Sequence, residues 1–374
     1  MSRELPVVVS ESFERPVEAS RACGVAPVAD GRSWEHQRTR HWFRVVGLMV
    51  VLTGLVMGVC VQFGGHMLSG EEIWSALTFS STHQAAVANV IIWDVRFPRV
   101  LMGLFVGAAL AITGAALQAL VRNPLADPYV LGISSGAALG ATLGLAWGGG
   151  GHLGGLGLPL CAFVGGGISI ALVYGIAAAQ GHFQMPQLLL AGVIVNAVGS
   201  ALMMFTTSIL NPTAVYRVML WLMGTLSAPS MITVLALGGC VVLASVVLLQ
   251  QSQALNVLAL GEDSARSLGV ELARVQRRVF FVSAVLTGVV VSASGMIGFV
   301  GMVVPHLVRI VWGADHRLLL PVSALGGGML LMLADTVART IVAPSEIPVG
   351  VITALIGGPF FLYFLLTKPY RGTV

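Results

Sequence analysis

Gln118-Ala-Leu-Val-Arg-Asn-Pro-Leu-Ala-Asp-Pro-Tyr-Val-Leu-Gly132 is a polar, twice-prolined stretch set between two long apolar runs. Neither Pro124 nor Pro128 donates a backbone hydrogen bond, and each pushes its predecessor, Asn123 or Asp127, out of helical geometry. One helix must therefore end here and another restart. Irregular backbone near membrane depth is tolerated only where protein buries it or a watery pathway wets it, so the stretch is a candidate gate.

The flanking sequence sets the environment. Hydrophobic residues make up 56% of the 374-residue chain and charged residues 10%, with a mean hydropathy of +0.89, far too apolar for a soluble protein. Apolar runs lie near 44–63, 99–121, 129–147, 157–179, 187–210, 231–250, 279–300, 318–338 and 348–367, where about 20 residues suffice for one crossing. A shorter run, 301–312, is ambiguous by length, and charge decides it. If it crosses, there are ten spans, both termini lie inside, and most of the basic residues fall on the inner side. If it does not, Lys368 and Arg371 move outside, against the positive-inside bias. The expected fold is an all-α polytopic membrane protein of about ten transmembrane helices. Residues 1–41, polar and of mixed charge, read as a disordered cytoplasmic tail, and 42–374 as the transmembrane domain.

Composition also excludes chemistries. The lone lysine, Lys368, precedes Pro369, so there is no Gly-Lys-Ser/Thr phosphate loop. Cys23, Cys60, Cys161 and Cys240 show no CxxC spacing and read as small core hydrophobes. Ion-coupled secondary transporters place ionisable groups near the bilayer midplane, whereas Asp94, Asp127, Asp315 and Asp335 fall at loops or span ends. No catalytic residue, metal site, cofactor or nucleic-acid surface is expected.

Two charged regions remain. Ten spans leave Arg96, Arg99, Arg217 and Arg339 outside, three of them at span ends that a compact bundle brings together. Arg96-Phe-Pro-Arg99 reads as a helix start with proline in the first turn. These arginines either snorkel to lipid phosphates or form a positive rim for the carboxylates of a soluble partner. On the inner side, 251–278 is much longer than a linker requires. Leu258, Leu260, Ala265 and Leu268 offer an apolar strip beside charges, and Gly261 and Gly269 punctuate it into short helices. Such a loop suits docking against a cytoplasmic protein.

Several motifs then agree in order and spacing. Arg96-Phe-Pro-Arg99, Gln118 through Gly136, the Leu-Gly-Glu loop at 260–269, Gly298-Phe-Val-Gly-Met-Val-Val-Pro-His306, Ala314-Asp-His-Arg317 and Glu346-Ile-Pro-Val-Gly350 resemble the FecCD family. Its members are permease subunits of type II ABC importers for ferric siderophores, haem and cobalamin. The resemblance covers about 44–370 and leaves out only the tail. It implies a homodimer in the bacterial inner membrane with two cytoplasmic ABC ATPase subunits and one substrate-binding protein outside. ATP hydrolysis would then belong to a separate subunit, with this chain non-catalytic.

The resemblance also implies roles. Asn123 and Leu125 would close the cytoplasmic gate, and Arg96, Arg99 and Arg339 would receive glutamates of the binding protein. Leu260, Gly261, Glu262, Ala265, Leu268 and Gly269 would form the ATPase-coupling segment. By analogy the span Leu188–Leu210 lines the pathway; Asn196 is its candidate polar contact, and Arg217 is expected near the entrance. The cargo expected is a bulky iron complex, a ferric siderophore or haem, with cobalamin the alternative.

Other residues read as structural. His306 is expected in a hydrogen-bonding role, and Met203, Met204, Met219 and Met223 as packing fill. Gly103, Gly107 and Gly114 are expected at close helix contacts, and Asp335 paired with Arg339 one turn on.

Overall fold

The computed structural model describes residues 31–64, 87–147, 157–179, 185–226 and 229–367. The expectations for residues 1–30, Lys368 and Arg371 lie outside them. Every regular element among the described residues is helical. The chain divides after Val45 into a short N-terminal unit and a bundle. Of the first, the described part is the opening of α1 (Gly31–Gln62), where Trp42 and Phe43 meet edge to face at 5.0 Å. Helix thus begins ten residues before the end of the expected disordered tail, because the polar residues between Gly31 and His41 include no proline to stop it.

The proline-broken stretch does end one helix and start another. α2 (Phe97–Val121) closes on Arg122, which adopts the left-handed conformation with φ 53°, and Pro124 follows where helix could not continue. The chain restarts at Asp127, whose side chain accepts from the Tyr129 N–H and caps a 3-10 turn, Pro128–Leu131. Gly132, at φ 84°, then turns the backbone into α3 (Ile133–Ala146).

The remaining helices are α4 (Gly157–Ala178), α5 (Met185–Ser208), α6 (Pro212–Leu222), α7 (Met231–Gln250), α8 (Ser252–Leu258), α9 (Glu262–Ser267), α10 (Leu272–Ser294), α11 (Val300–Trp312), α12 (His316–Thr340) and α13 (Val349–Thr367). Among the described residues, seven helices are long and apolar enough to cross a membrane, and three more, in the regions of α3, α11 and α13, are apolar but shorter. Together they account for the ten expected spans. α6, α8 and α9 are short helices between them.

α2 is the central helix. It packs against α12, α11, α10 and α7, while α3, α4 and α5 form a second group that α10 joins to the first. The glycines of α2 explain how tightly this works. A Cβ on Gly107 would strike the Gly327 carbonyl of α12, and one on Gly114 the Gly301 carbonyl of α11, so backbones touch where side chains would hold them apart.

Two boundaries differ from the sequence expectation. α2 does not begin at Pro98; a π-helical stretch, Val90–Arg96, runs directly into it. One extra residue in a turn leaves room beside a proline that cannot donate. The run 279–300 is also not one helix. α10 starts at Leu272, ends at Ser294, and is followed by a turn in which Gly295 (φ 71°) and Phe299 (φ 69°) are left-handed.

Candidate functional site

The candidate residues gather at opposite ends of α2, which at ~1.5 Å per residue separates Arg99 from Arg122 by about 35 Å. At the first end, Arg96, which closes the π-helical stretch before α2, and Arg339 of α12 converge on the C-terminus of α1. The last carbonyls of a helix have no intrahelical donor and carry partial negative charge. Arg96 donates from Nη1 to the carbonyls of Val61 (3.2 Å) and Gln62 (2.6 Å), and Arg339 from Nη2 to that of Cys60 (2.7 Å). Both side chains are buried. Arg99 is held on one edge by Asp335, with Nε at 3.2 and 3.1 Å from its two oxygens and Nη2 at 2.9 Å. Asp335 also lies 3.6 Å from Arg339, one turn away. Arg99 Nη1 meets the two oxygens of Glu346 at 3.0 and 2.9 Å.

The three arginines expected together are together, but they are not an open rim. Arg96 and Arg339, expected to receive glutamates of a binding protein, are turned inward here and cap α1. Arg99 is the member nearest the surface, through its contact with half-exposed Glu346. Arg217 sits apart, exposed on α6, a helix capped by Asn211, which accepts from the Ala214 N–H at 2.8 Å.

At the other end of α2 lies the proline-broken turn. Asn123 and Leu125 are both exposed on it, and Asn123 Oδ1 accepts from the Leu125 N–H at 2.9 Å. The turn is anchored on both sides. Buried Gln118 donates to the carbonyls of Gly301 (3.4 Å) and Met302 (3.3 Å) and accepts from Arg309 Nη2 at 3.1 Å. Beyond the turn, the Tyr129 hydroxyl donates to the Ile297 carbonyl (3.0 Å) and accepts from its N–H (2.9 Å). Burial pushes the Asp127 carboxyl above its ordinary range, partly offset by the hydrogen bond from the Tyr129 N–H. Asn196, expected on the pathway, donates to the Tyr129 carbonyl at 3.2 Å. That carbonyl also accepts from the Gly132 N–H and the Ser134 hydroxyl, both at 3.4 Å, so Asn196 helps to hold this turn.

Beside the turn stand α8 and α9. Gly261, at φ 112°, separates them, and Gly269, at φ 78°, ends α9. The apolar strip read from the sequence is divided between two faces. Leu258 and Ala265 are buried, Ala265 at 0% exposure, whereas Leu260 and Leu268 are exposed at 69% and 65%. Ala265 is therefore packed within the chain, and Leu260 and Leu268 are the exposed apolar groups of the segment. Glu262 makes two ion pairs, with Arg266 at 3.7 Å and with Arg122 of the broken turn at 3.6 Å.

Sequence reasoning missed what secures this segment. Asn256, on α8, accepts at Oδ1 from the His316 N–H (2.8 Å) and lies 2.7 Å from His316 Nδ1, while its Nδ2 donates to Asp315 at 2.6 Å. With Oδ1 as acceptor, Nδ1 carries the imidazole proton. The signal available was the Asp315–His316 pair opening α12 opposite a lone asparagine in an apolar helix. His306 makes an edge-on contact with the Phe364 ring at 4.1 Å, a packing role that its hydrogen-bonding expectation did not include. Met204, Met219 and Met223 are exposed rather than core fill.

The FecCD transport family matches residues 48–367. The chain belongs to the FecCD transport family. A cobalamin import system permease of Halobacterium salinarum is 44% identical over 333 residues, covering 86% of this chain and 89% of that protein. A hemin transport system permease of Yersinia pestis is 41% identical over 331 residues, covering 86% and 94%. Among solved structures, a transporter described as of the metal-chelate ABC type, in an inward-facing conformation, superposes with a TM-score of 0.75 at 32% identity, covering 87% of this chain and 100% of its own. The protein is a multi-pass membrane permease of a type II ABC importer.

Proposed function

We propose that this FecCD permease imports a bulky iron complex, a ferric siderophore or haem, across the inner membrane into the cytoplasm. It works as a homodimer with two ATPase subunits inside and one soluble binding protein outside. The observation that carries the mechanism is the coupling of α8 and α9 to the broken turn. Leu260 and Leu268 offer exposed apolar anchors to the ATPase, and interface energy concentrates in such anchors. Movement of α9 reaches the gate turn through Glu262 and Arg122, and reaches α12 through Asn256 and His316. In the dimer, Asn123 and Leu125 of each copy meet at the two-fold axis and close the inner end of the pathway. At the opposite end, Arg99 is the docking group for a carboxylate of the binding protein, while Arg96 and Arg339 hold it in place by fixing α1.

Cobalamin is the second reading, favoured by the relative of Halobacterium salinarum named for it. Both cargoes are bulky metal chelates, so the same permease architecture suits either. Uptake into proteoliposomes holding the complete transporter and its binding protein separates them. Accumulation of haem or a ferric siderophore and not cyanocobalamin is expected; the reverse assigns the cobalamin reading, and uptake without ATP removes the importer mechanism.

A further inference from the structure

Arg99 is held by two carboxylates of its own chain that differ in kind. Asp335 is 2% exposed, lies on α12 within the bundle, and binds the Nε and Nη2 edge. Glu346 is 54% exposed, lies in the connection between α12 and α13, and places both oxygens on Nη1. Arg96 and Arg339 spend donors on the end of α1. Nη1 of Arg99 is thus the donor of this cluster that meets an exposed acid.

We propose that Glu346 is an internal stand-in for the binding protein's carboxylate, occupying Arg99 while the outer face is empty and yielding it when an acidic side chain arrives. This rests on the reading of Arg99 as the docking group. The chemistry of the two acids separates their roles. An exposed ion pair is screened and weak, so it exchanges readily, whereas removing buried Asp335 would strand the Arg339 guanidinium and leave Arg99 with Glu346 alone. The backbone beside Glu346 is pinned by the Ile347 N–H, which donates to the Ala338 carbonyl at 3.0 Å. Exchange therefore needs only rotation of the Glu346 side chain.

Two consequences follow for docking. Swapping one carboxylate for another keeps Arg99 paired and releases Glu346, 54% exposed, to water, so the partner can leave again after each delivery. A covered arginine also rejects stray anions, lipid phosphates included, that cannot outcompete Glu346. The cost is apparent affinity, which falls by the fraction of time that Arg99 is available.

The test uses the complete transporter in nanodiscs and the soluble binding protein encoded with it, measured by surface plasmon resonance. Glu346→Gln should bind about tenfold more tightly than wild type, as expected if Glu346 covers Arg99 about nine-tenths of the time. In an Arg99→Lys background, which keeps the charge but loses the fork geometry, Glu346→Gln should change affinity much less. If Arg99→Lys weakens binding but Glu346→Gln leaves it unchanged or weaker, docking at Arg99 stands and the stand-in is overturned. If neither variant alters binding, docking at Arg99 fails and takes the stand-in with it.

Discussion

The two ends of α2 carry similar residues in opposite states. At the Arg99 end, buried guanidinium groups make multiple short contacts to Asp335 and to the last carbonyls of α1. At the Arg122 end, the ion pair to Glu262 spans 3.6 Å between side chains 40% and 35% exposed. Buried, multidentate pairs cannot separate without stranding charge, and exposed, long ones separate at almost no cost. On the proposed mechanism the first end stays put and the second moves: a fixed frame for α1, α2 and α12, and a turn that rearranges with each cycle.

Asp335→Ala should have the largest effect. It leaves the buried Arg339 without a carboxylate and Arg99 with half-exposed Glu346 alone, at about 3–5 kcal/mol. Thermal unfolding of the purified permease in detergent should fall sharply, and a wild-type melting curve would contradict the fixed-frame reading.

Next in size, the two faces of α8–α9 should separate by variant. Ala265→Arg forces a charge into a closed site and should unfold the segment, read as loss of yield. Leu260→Arg with Leu268→Arg should leave a folded permease that no longer co-purifies with the ATPase. A double variant that retains full assembly would show that the exposed leucines are not the contact.

The smallest effect on stability is expected at the other end. Arg122→Glu should change stability by no more than about 1 kcal/mol, as for an exposed pair, yet should raise ATP turnover per molecule transported. Glu262→Arg combined with it should recover part of the coupling by restoring an opposite pair. A charge reversal with normal stoichiometry would sever α9 from the gate.

How much of this was legible follows from the physics of each signal. Apolar runs marked the ten spans, and Pro124 and Pro128 marked the break, because backbone chemistry acts wherever the residue sits. The turn at Gly295–Phe299 was hidden because Met296, Ile297 and Phe299 are themselves apolar and burial there comes from tertiary packing. The burial of Ala265 was hidden for a different reason. Helical periodicity predicts a face only within one helix, and the left-handed Gly261 resets the phase between α8 and α9. The nearness of Arg96, Arg99 and Arg339 was readable from span ends, but the inward turn of Arg96 and Arg339 was not, since they meet carbonyls at Cys60, Val61 and Gln62 that any sequence would supply. Asn256 and Glu346 gave little sign because each acts on a residue distant in the chain.

The central claim is that the exposed turn at Asn123 and Leu125 is the moving inner gate, and cysteine crosslinking across the dimer tests it most directly. In a cysteine-free background within the complete transporter, Leu125→Cys should form an intersubunit disulfide efficiently in one nucleotide state and far less in another. Absence of crosslinking in every state, together with normal coupling when Asn123 and Leu125 are both replaced by alanine, would contradict it and leave the turn a structural element.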